Sequence, residues 1–336
     1  MNIMLVGEES AGIRVLRLLA ESRHRVVGVL ASPNPRYGGP ATLWKTAQEL
    51  GYRTRAAEIV RQPVFARQVR EDHVDLLLNV HSLYIIDNEV LRAPKIGSFN
   101  LHPGPLPRFA GRNPVCWALY FGEKTHGVTL HRMTAEIDAG PILYQSIFPI
   151  TETDTGLSVS LRCIQEGLLM VSRLLEDLTA NPVKLPEIPQ DLTLRQCLGR
   201  EVPHHGRMIW SLPARQVVNF VRACNFCPFL SPWGHPRARK NGCEFGIVTA
   251  TQTGCPAEAS PGTVGGLDCA GVRIACSDEW ISVGKVNVQE KFLDAAKILR
   301  VGDQLENGAE LNIRILQEIG MANLTLFKLT GDEKSG

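Results

Sequence analysis

Between residues 97 and 140 the chain carries a carboxamide, an imidazole and a carboxylate of the kinds that act together on an acyl group: Asn100, His102 and Asp138. The stretch Ser98-Phe-Asn-Leu-His102 alternates as a strand does, so Asn100 and His102 project to the same side of the chain. Pro103-Gly-Pro105 then breaks the strand into a rigid loop. Gly127-Val-Thr-Leu-His-Arg-Met133 reads as a further strand, with a sharp turn after it at Asp138-Ala-Gly-Pro141. Ligands of parallel sheets bind at the carboxyl ends of the strands, where loops can deliver such groups to one rim. There an imidazole accepts a proton from a nucleophile, a carboxylate orients it, and an amide N–H stabilises a developing oxyanion. No serine or cysteine nucleophile is required, so direct transfer to an external amine fits. The same residues also suit structural roles: a strand-end histidine, a turn-forming aspartate before Ala-Gly, and an asparagine capping a proline-rich loop. Periodicity alone does not connect Asp138 to His102.

The elements that must hold these groups read as α/β. At 336 residues the chain is long enough for two domains of ~100–200 residues. Buried-strand runs at 2–6, 25–30 and 75–80 alternate with helical patterns through Val15, Leu16, Leu18 and Leu19, over 41–50 and over 63–71. Short apolar strands alternating with helices predict a parallel, doubly wound sheet. Gly7 and Gly12 resemble a degraded dinucleotide loop, but without the full glycine spacing a tight strand-to-helix turn explains them. A helix over 157–178 is followed by the proline-punctuated run 181–189, which reads as a linker or extended strap. From about residue 206 the texture changes to one helix at 213–222 and short strand-like pieces at 245–249, 262–264, 271–276 and 280–283. Strands at this spacing predict a small antiparallel barrel or sandwich.

Composition bounds the partners. Lys plus Arg number 36 against 34 Asp plus Glu, a near-neutral balance that argues against a broad basic field for nucleic acid or anionic membrane. Nine irregularly spaced cysteines do not form a disulfide framework and point to a reducing compartment. Cys224-Asn-Phe-Cys227 has redox or zinc spacing, but no second ligand pair follows it, so ordinary helix or loop cysteines are expected and no metal. The apolar start soon meets Gly7, Glu8 and Glu9, unlike a signal peptide, and no run approaches the ~18 apolar residues of a membrane span. A cytoplasmic protein without membrane contact is the expectation.

Three segments in order carry a family resemblance: Phe99-Asn-Leu-His-Pro-Gly-Pro-Leu-Pro-Arg-Phe-Ala-Gly111, Gly127-Val-Thr-Leu-His-Arg-Met133 and Ile137-Asp-Ala-Gly-Pro-Ile-Leu143. Together they resemble the signature of 10-formyltetrahydrofolate-dependent formyltransferases. Ile209-Trp-Ser-Leu-Pro-Ala-Arg215, Val218-Asn-Phe-Val-Arg222 and Pro261-Gly-Thr-Val264 resemble the family's carboxyl-terminal, oligonucleotide-fold-like domain, so the likeness covers roughly residues 1–306. It implies a Rossmann-like catalytic domain over 1–180, a linker over 181–206, an OB-fold-like β-barrel domain over 207–308, and a tail over 309–336 of no assigned role. The tail holds two strand-like runs, at 311–316 and 324–327. The resemblance also implies that Asn100, His102 and Asp138 form the catalytic triad, with 10-formyltetrahydrofolate as formyl donor and no metal. The folate pterin would lie against Leu83, Tyr84, Ile85 and Ile86 after the third strand, and against backbone between Thr134 and Ile137.

The acceptor needs separate evidence. Methionyl-tRNA formyltransferases are similar throughout but carry a longer Lys- and Arg-rich loop after the second strand, where residues 32–40 hold only Arg36. From Gly206 to Glu306 eleven basic residues face nine acidic ones, thin support for gripping phosphates. Arg237, Arg239 and Lys240 are the one local basic cluster there. Gly111-Arg-Asn-Pro114 and Gly127-Val-Thr-Leu-His-Arg-Met133 look like the domain that formylates a nucleotide-linked amino sugar of the 4-amino-4-deoxyarabinose type. A small amine, an amino sugar or amino acid, is therefore expected ahead of tRNA, with Arg108 and Arg112 meeting its phosphates or carboxylate. Pro103-Gly-Pro105 replaces the Gly-Ser-Leu common in the family and reshapes the loop beside His102. A formyl-folate hydrolase, which would use water on the same triad, and a non-catalytic folate-binding protein are the alternatives.

Overall fold

The computed structural model describes residues 1–34, 41–180 and 185–308. Arg36 and its neighbours at 35–40, the strap residues 181–184, and the whole tail with its two strand-like runs lie outside the described residues. The chain divides into two units: Met1–Leu119 with Glu123–Arg200 and Phe226–Leu230, and Tyr120–Gly122 with Glu201–Asn225 and the chain from Ser231 onward.

The first unit runs β1 (Asn2–Gly7), α1 (Glu9–Glu21), β2 (Arg25–Ala31), α2 (Leu43–Glu49), β3 (Thr54–Ala56), α3 (Phe65–Glu71), β4 (Leu76–Val80), α4 (Asn88–Leu91) and β5 (Gly97–His102). It continues through β6 (Ala110–Gly111), α5 (Pro114–Phe121), β7 (Thr125–Arg132), β8 (Ile142–Pro149), α6 (Gly156–Ala180) and β9 (Cys197–Leu198). A seven-stranded sheet is ordered β3-β2-β1-β4-β5-β7-β8. Ile3, Leu5, Val6, Leu76, Leu77 and Leu78 are buried to the last percent, as strands covered on both faces require. Each such side chain contributes about 1.5–3 kcal/mol. The α/β class is as the pattern predicts, with two differences. β3 is a three-residue edge strand too short to signal itself. β7 and β8 run antiparallel, so the expected parallel sheet is parallel only from β3 to β5. Gly7 and Gly12 pack against Leu43 and the Val80 carbonyl, the close-turn role anticipated for them.

The segment expected as a linker behaves differently over 185–200. β9 pairs in parallel with β6, Ile188 exchanges backbone hydrogen bonds with Ile142, and Arg132 holds Glu187 at 2.6 Å. These contacts bind it into the first unit, whose boundary is Arg200.

The second unit contains α7 (Ala214–Cys224) and eight strands: β10 (Arg237–Lys240), β11 (Cys243–Ile247), β12 (Ala250–Pro256), β13 (Val264–Leu267), β14 (Val272–Ala275), β15 (Glu279–Val283), β16 (Lys285–Val288) and β17 (Lys291–Asp294). They form two four-stranded antiparallel sheets, β10-β11-β16-β17 and β12-β15-β14-β13. Val272, Ile274, Ile281 and Val283 fill the second sheet's buried face by simple alternation. β10, β12, β16 and β17 escaped the sequence reading because their polar residues, such as Arg237-Ala-Arg-Lys240, carry little apolar alternation.

Candidate active site

Strand β5 ends at the rim of the sheet and carries Asn100 and His102 on one face, both under a tenth exposed. Antiparallel pairing with β7 sets His131 directly opposite Asn100, and parallel pairing with β4 sets Asn79 on the other side. Asp138 reaches the same point from the β7–β8 connection, buried and in the left-handed region at φ 54°. Its Oδ2 lies 3.6 Å from His102 Nδ1 and accepts the Gly111 N–H at 2.9 Å. Its Oδ1 lies 3.3 Å from Asn100 Nδ2 and 3.4 Å from His131 Nε2. The structure thus brings Asp138 to Asn100 and His102, the link that periodicity could not make.

Burial works against the Asp138 charge, but His102, His131 and the Gly111 N–H outweigh it and hold the carboxyl well below the usual carboxylate range. Asp138 is a fixed anion beside His102. The ring of His102 is fixed at its other edge: Nε2 lies 2.6 Å from the Phe109 carbonyl oxygen. A carbonyl only accepts, so Nε2 carries the hydrogen, and in the neutral ring Nδ1 holds the lone pair. A Cβ on Gly104 would come within 2.9 Å of His102 Nε2 and 2.8 Å of the Phe109 oxygen, so only glycine leaves this bond intact.

The loop after β5 is tied to β7 and β8. His126 Nε2 donates to the Pro103 carbonyl at 2.9 Å, Thr129 Oγ1 donates to the Gly104 carbonyl at 2.8 Å, and Gln145 Nε2 donates to the Leu106 carbonyl at 2.9 Å. The strap closes the other side. Gln190 Nε2 donates to the carbonyls of Asp138 at 2.9 Å and Gly140 at 2.6 Å, and Arg195 clamps Glu136 and the Ile137 carbonyl.

The remaining sequence-predicted positions divide. Leu83, Ile85 and Ile137 expose apolar side chains, and Thr134 Oγ1 bonds the Glu136 carbonyl at 3.1 Å. Tyr84 packs against the core under β4, and Ile86 lies inside it among Val60, Val90 and Leu91. Burial commits the Ile86 side chain to the core, which leaves its backbone as the part of it that can face a ligand. Arg108 also departs from expectation. Its guanidinium forks onto Glu123, with Nη1 at 3.2 Å, and lies over the Phe109 ring, so its charge is already matched. Arg112 Nη2 reaches the Leu83 carbonyl at 3.5 Å, on the loop expected to meet folate.

Four residues of the cluster were not singled out from the sequence. His131 and Asn79 flank Asn100; the signal for them is the strand register, invisible without the partner strand. His81, at the end of β4, is pushed down to about 4 by burial and by the nearby His102, and His126 to about 4 chiefly by burial, with His102 adding to it against the Pro103 hydrogen bond. Both imidazoles are neutral at pH 7. Among the described residues no cluster of His, Cys, Asp or Glu could hold a metal ion, and no helix is long and apolar enough to cross a membrane.

Paired carboxylate and imidazole, with a carboxamide beside them at the carboxyl ends of such a sheet, define an α/β group-transfer enzyme. Residues 4–174 match the family described as formyl transferase, and residues 202–301 match formyl transferase, C-terminal domain. The chain belongs to the formyltransferase family and is a formyltransferase. It is 28% identical over 319 residues to a methionyl-tRNA formyltransferase of Geobacillus thermodenitrificans, covering 92% of this chain and 97% of that protein. In fold it is similar to an N-formyltransferase from Helicobacter canadensis in complex with folinic acid and dTDP-3-aminofucose, with TM-score 0.63, 16% identity, and 84% and 98% of the two chains covered. HypX from Aquifex aeolicus in complex with tetrahydrofolic acid is also similar, with TM-score 0.58 and 20% identity over 88% of this chain and 46% of that one.

Proposed function

We propose that this formyltransferase moves the formyl group of 10-formyltetrahydrofolate to the primary amine of a small biosynthetic substrate, an amino sugar (nucleotide-linked or free) or an amino acid. The observation that carries the chemistry is the His102 ring held between Phe109 and Asp138 beside the Asn100 carboxamide. The donor, when bound, supplies an activated formyl group and a folate leaving group. The residues present fit it: Leu83, Ile85 and Ile137 offer exposed apolar surface, and the Asn100 carboxamide can donate to a carbonyl oxygen.

His102 takes the proton of the attacking amine at Nδ1, the nitrogen that the Phe109 bond leaves with a lone pair. Asp138, ionised and 3.6 Å away, stabilises the imidazolium that forms. Asn100 donates an N–H to the formyl oxygen as negative charge develops there. Its NH2 end is the end that faces the Asp138 side of the site, at 3.3 Å, with His131 at 3.1 Å. The protonated His102 then returns the proton to N10 of the departing folate.

Support for a small acceptor comes from the second unit. Arg237, Arg239 and Lys240, the local basic cluster, are each paired, with Glu244, Glu306 and Asp303. A second reading, transfer to methionyl-tRNA, is supported by the relative from Geobacillus thermodenitrificans. Incubation with 10-formyltetrahydrofolate and a panel of amino sugars, their nucleotide-linked forms, amino acids and charged tRNA separates the two. Tetrahydrofolate release with a formylated small amine by mass supports the first. Formylated methionyl-tRNA and no small product overturns it, and folate release without any amine identifies a hydrolase.

A further inference from the structure

Asn79 is an exception in its strand. β4 reads Leu76-Leu-Leu-Asn-Val80 and is buried throughout, and an unpaired amide in such a place is costly. Its compensation is a single contact: Asn79 Nδ2 lies 2.9 Å from Asn100 Oδ1, directly across the parallel β4–β5 register. Its own Oδ1 is buried with no hydrogen-bond partner.

The direction of every bond in this row follows from its far end. The Arg132 carbonyl lies 2.9 Å from His131 Nδ1 and can only accept, so Nδ1 carries the hydrogen, and in the neutral ring His131 Nε2 is an acceptor. In that tautomer Nε2, 3.1 Å from the Asn100 amide, takes the NH2 group of Asn100 towards it. The ionised Asp138 Oδ1 at 3.3 Å needs the same. With both N–H bonds on that side, Asn100 Oδ1 must face β4, and Asn79 must present its NH2 group to it. A flipped Asn100 would set its oxygen against the Asp138 carboxylate. A flipped Asn79 would set oxygen against oxygen.

We propose that Asn79 is a positioning residue for formyl transfer: it holds the Asn100 carboxamide so that the NH2 end, not the oxygen, faces the reacting carbonyl. It touches no reacting atom and acts only through Asn100. The inference rests on the reading of Asn100 as the donor to the formyl oxygen. Asn79 leaves its own Oδ1 unpaired in order to give Asn100 the one donor its orientation requires.

The test uses the full chain with N79L, N79D and N100A. N79L removes the donor at similar size. N79D keeps the shape but, ionised, presents only acceptors and draws the Asn100 NH2 group towards β4. Removal of an oxyanion donor typically costs ~10²–10³ in kcat, so about tenfold or more is expected for misdirecting one. Expected are a fall of that size in kcat in N79L and N79D, measured as tetrahydrofolate release with the amine panel above. The Kd for 5-formyltetrahydrofolate stays within about twofold, and the Asn100 side-chain NH2 resonances move. A loss of folate binding and of thermal stability in step with kcat in both variants shows a merely structural residue and overturns the proposal. If N79L fails to fold, the isosteric N79D carries the comparison. Turnover lost in N100A but retained in the Asn79 variants overturns the inference alone. Unchanged turnover in N100A overturns the reading beneath it as well.

Discussion

His102 donates from Nε2 to the carbonyl oxygen of Phe109 at 2.6 Å, across the loop that turns at Gly104. The bond decides which edge of the imidazole is basic. Asp138 therefore stands beside the nitrogen that keeps the lone pair in the neutral ring, at 3.6 Å, and not behind the opposite one. A carboxylate so placed stabilises the imidazolium directly, and its loss removes charge stabilisation and ring position together.

H102A and D138A should each lower kcat by about 10²–10⁴, the usual contribution of a positioned general base and its partner. The Kd for 5-formyltetrahydrofolate should stay near wild type, and far-ultraviolet circular dichroism should be unchanged. Full activity in either variant sinks the mechanism. D138N, which keeps shape without charge, should fall nearly as far as D138A.

Arg108 was expected on the acceptor. Paired with Glu123 at the surface, it should contribute only ~0–1 kcal/mol to stability and little to binding. R108A should leave KM for the amine within about twofold. A tenfold rise would restore the role that the ion pair argues against.

The strap should matter to catalysis although it lies outside the signature motifs. Gln190 bonds the carbonyls on both sides of Ala139, and Q190A frees the Asp138 turn from it. A several-fold fall in kcat is expected, with folate affinity retained. G140A should be more severe, because its Cβ would meet the Arg132 carbonyl oxygen at 1.9 Å, and its melting temperature should drop. Unaltered kcat in Q190A means the turn holds Asp138 without help.

Acid should destabilise the folded chain through His126. Its folded-state value is about 4 against an ordinary 6.5. Between those limits the unfolded chain binds a proton that the buried ring refuses, so stability is full above pH 6.5 and falls as pH drops towards 4. At ~1.4 kcal/mol per unit the loss is on the order of 3 kcal/mol. H126Q can still bond the Pro103 carbonyl but cannot titrate. Denaturant midpoints between pH 7 and 4 should be flatter for H126Q than for wild type. Parallel curves would refute the assignment.

Several features were legible in the residues alone. The near-continuous apolar runs of β1, β2 and β4 announce a covered parallel sheet, because a strand buried on both faces needs them. Alternation puts Asn100 and His102 on one side, since side chains of a strand repeat every second residue. The order of three short motifs pointed to the family, which the two matching domains show.

The tertiary structure decided the rest. Asp138 lies 36 residues beyond His102, and what joins them is a turn held by Gly111 and, from the strap, by Gln190 and Arg195. His131 and Asn79 became neighbours of Asn100 only through strand register, which long-range backbone hydrogen bonds set and local propensity does not encode. The same holds for charge. Arg108, Arg237 and Lys240 are free cations in a sequence and become matched pairs once folding brings Glu123, Glu244 and Asp303 to them. Residue type and period determined which groups the chain could use; pairing partners far along the chain determined which way each one points.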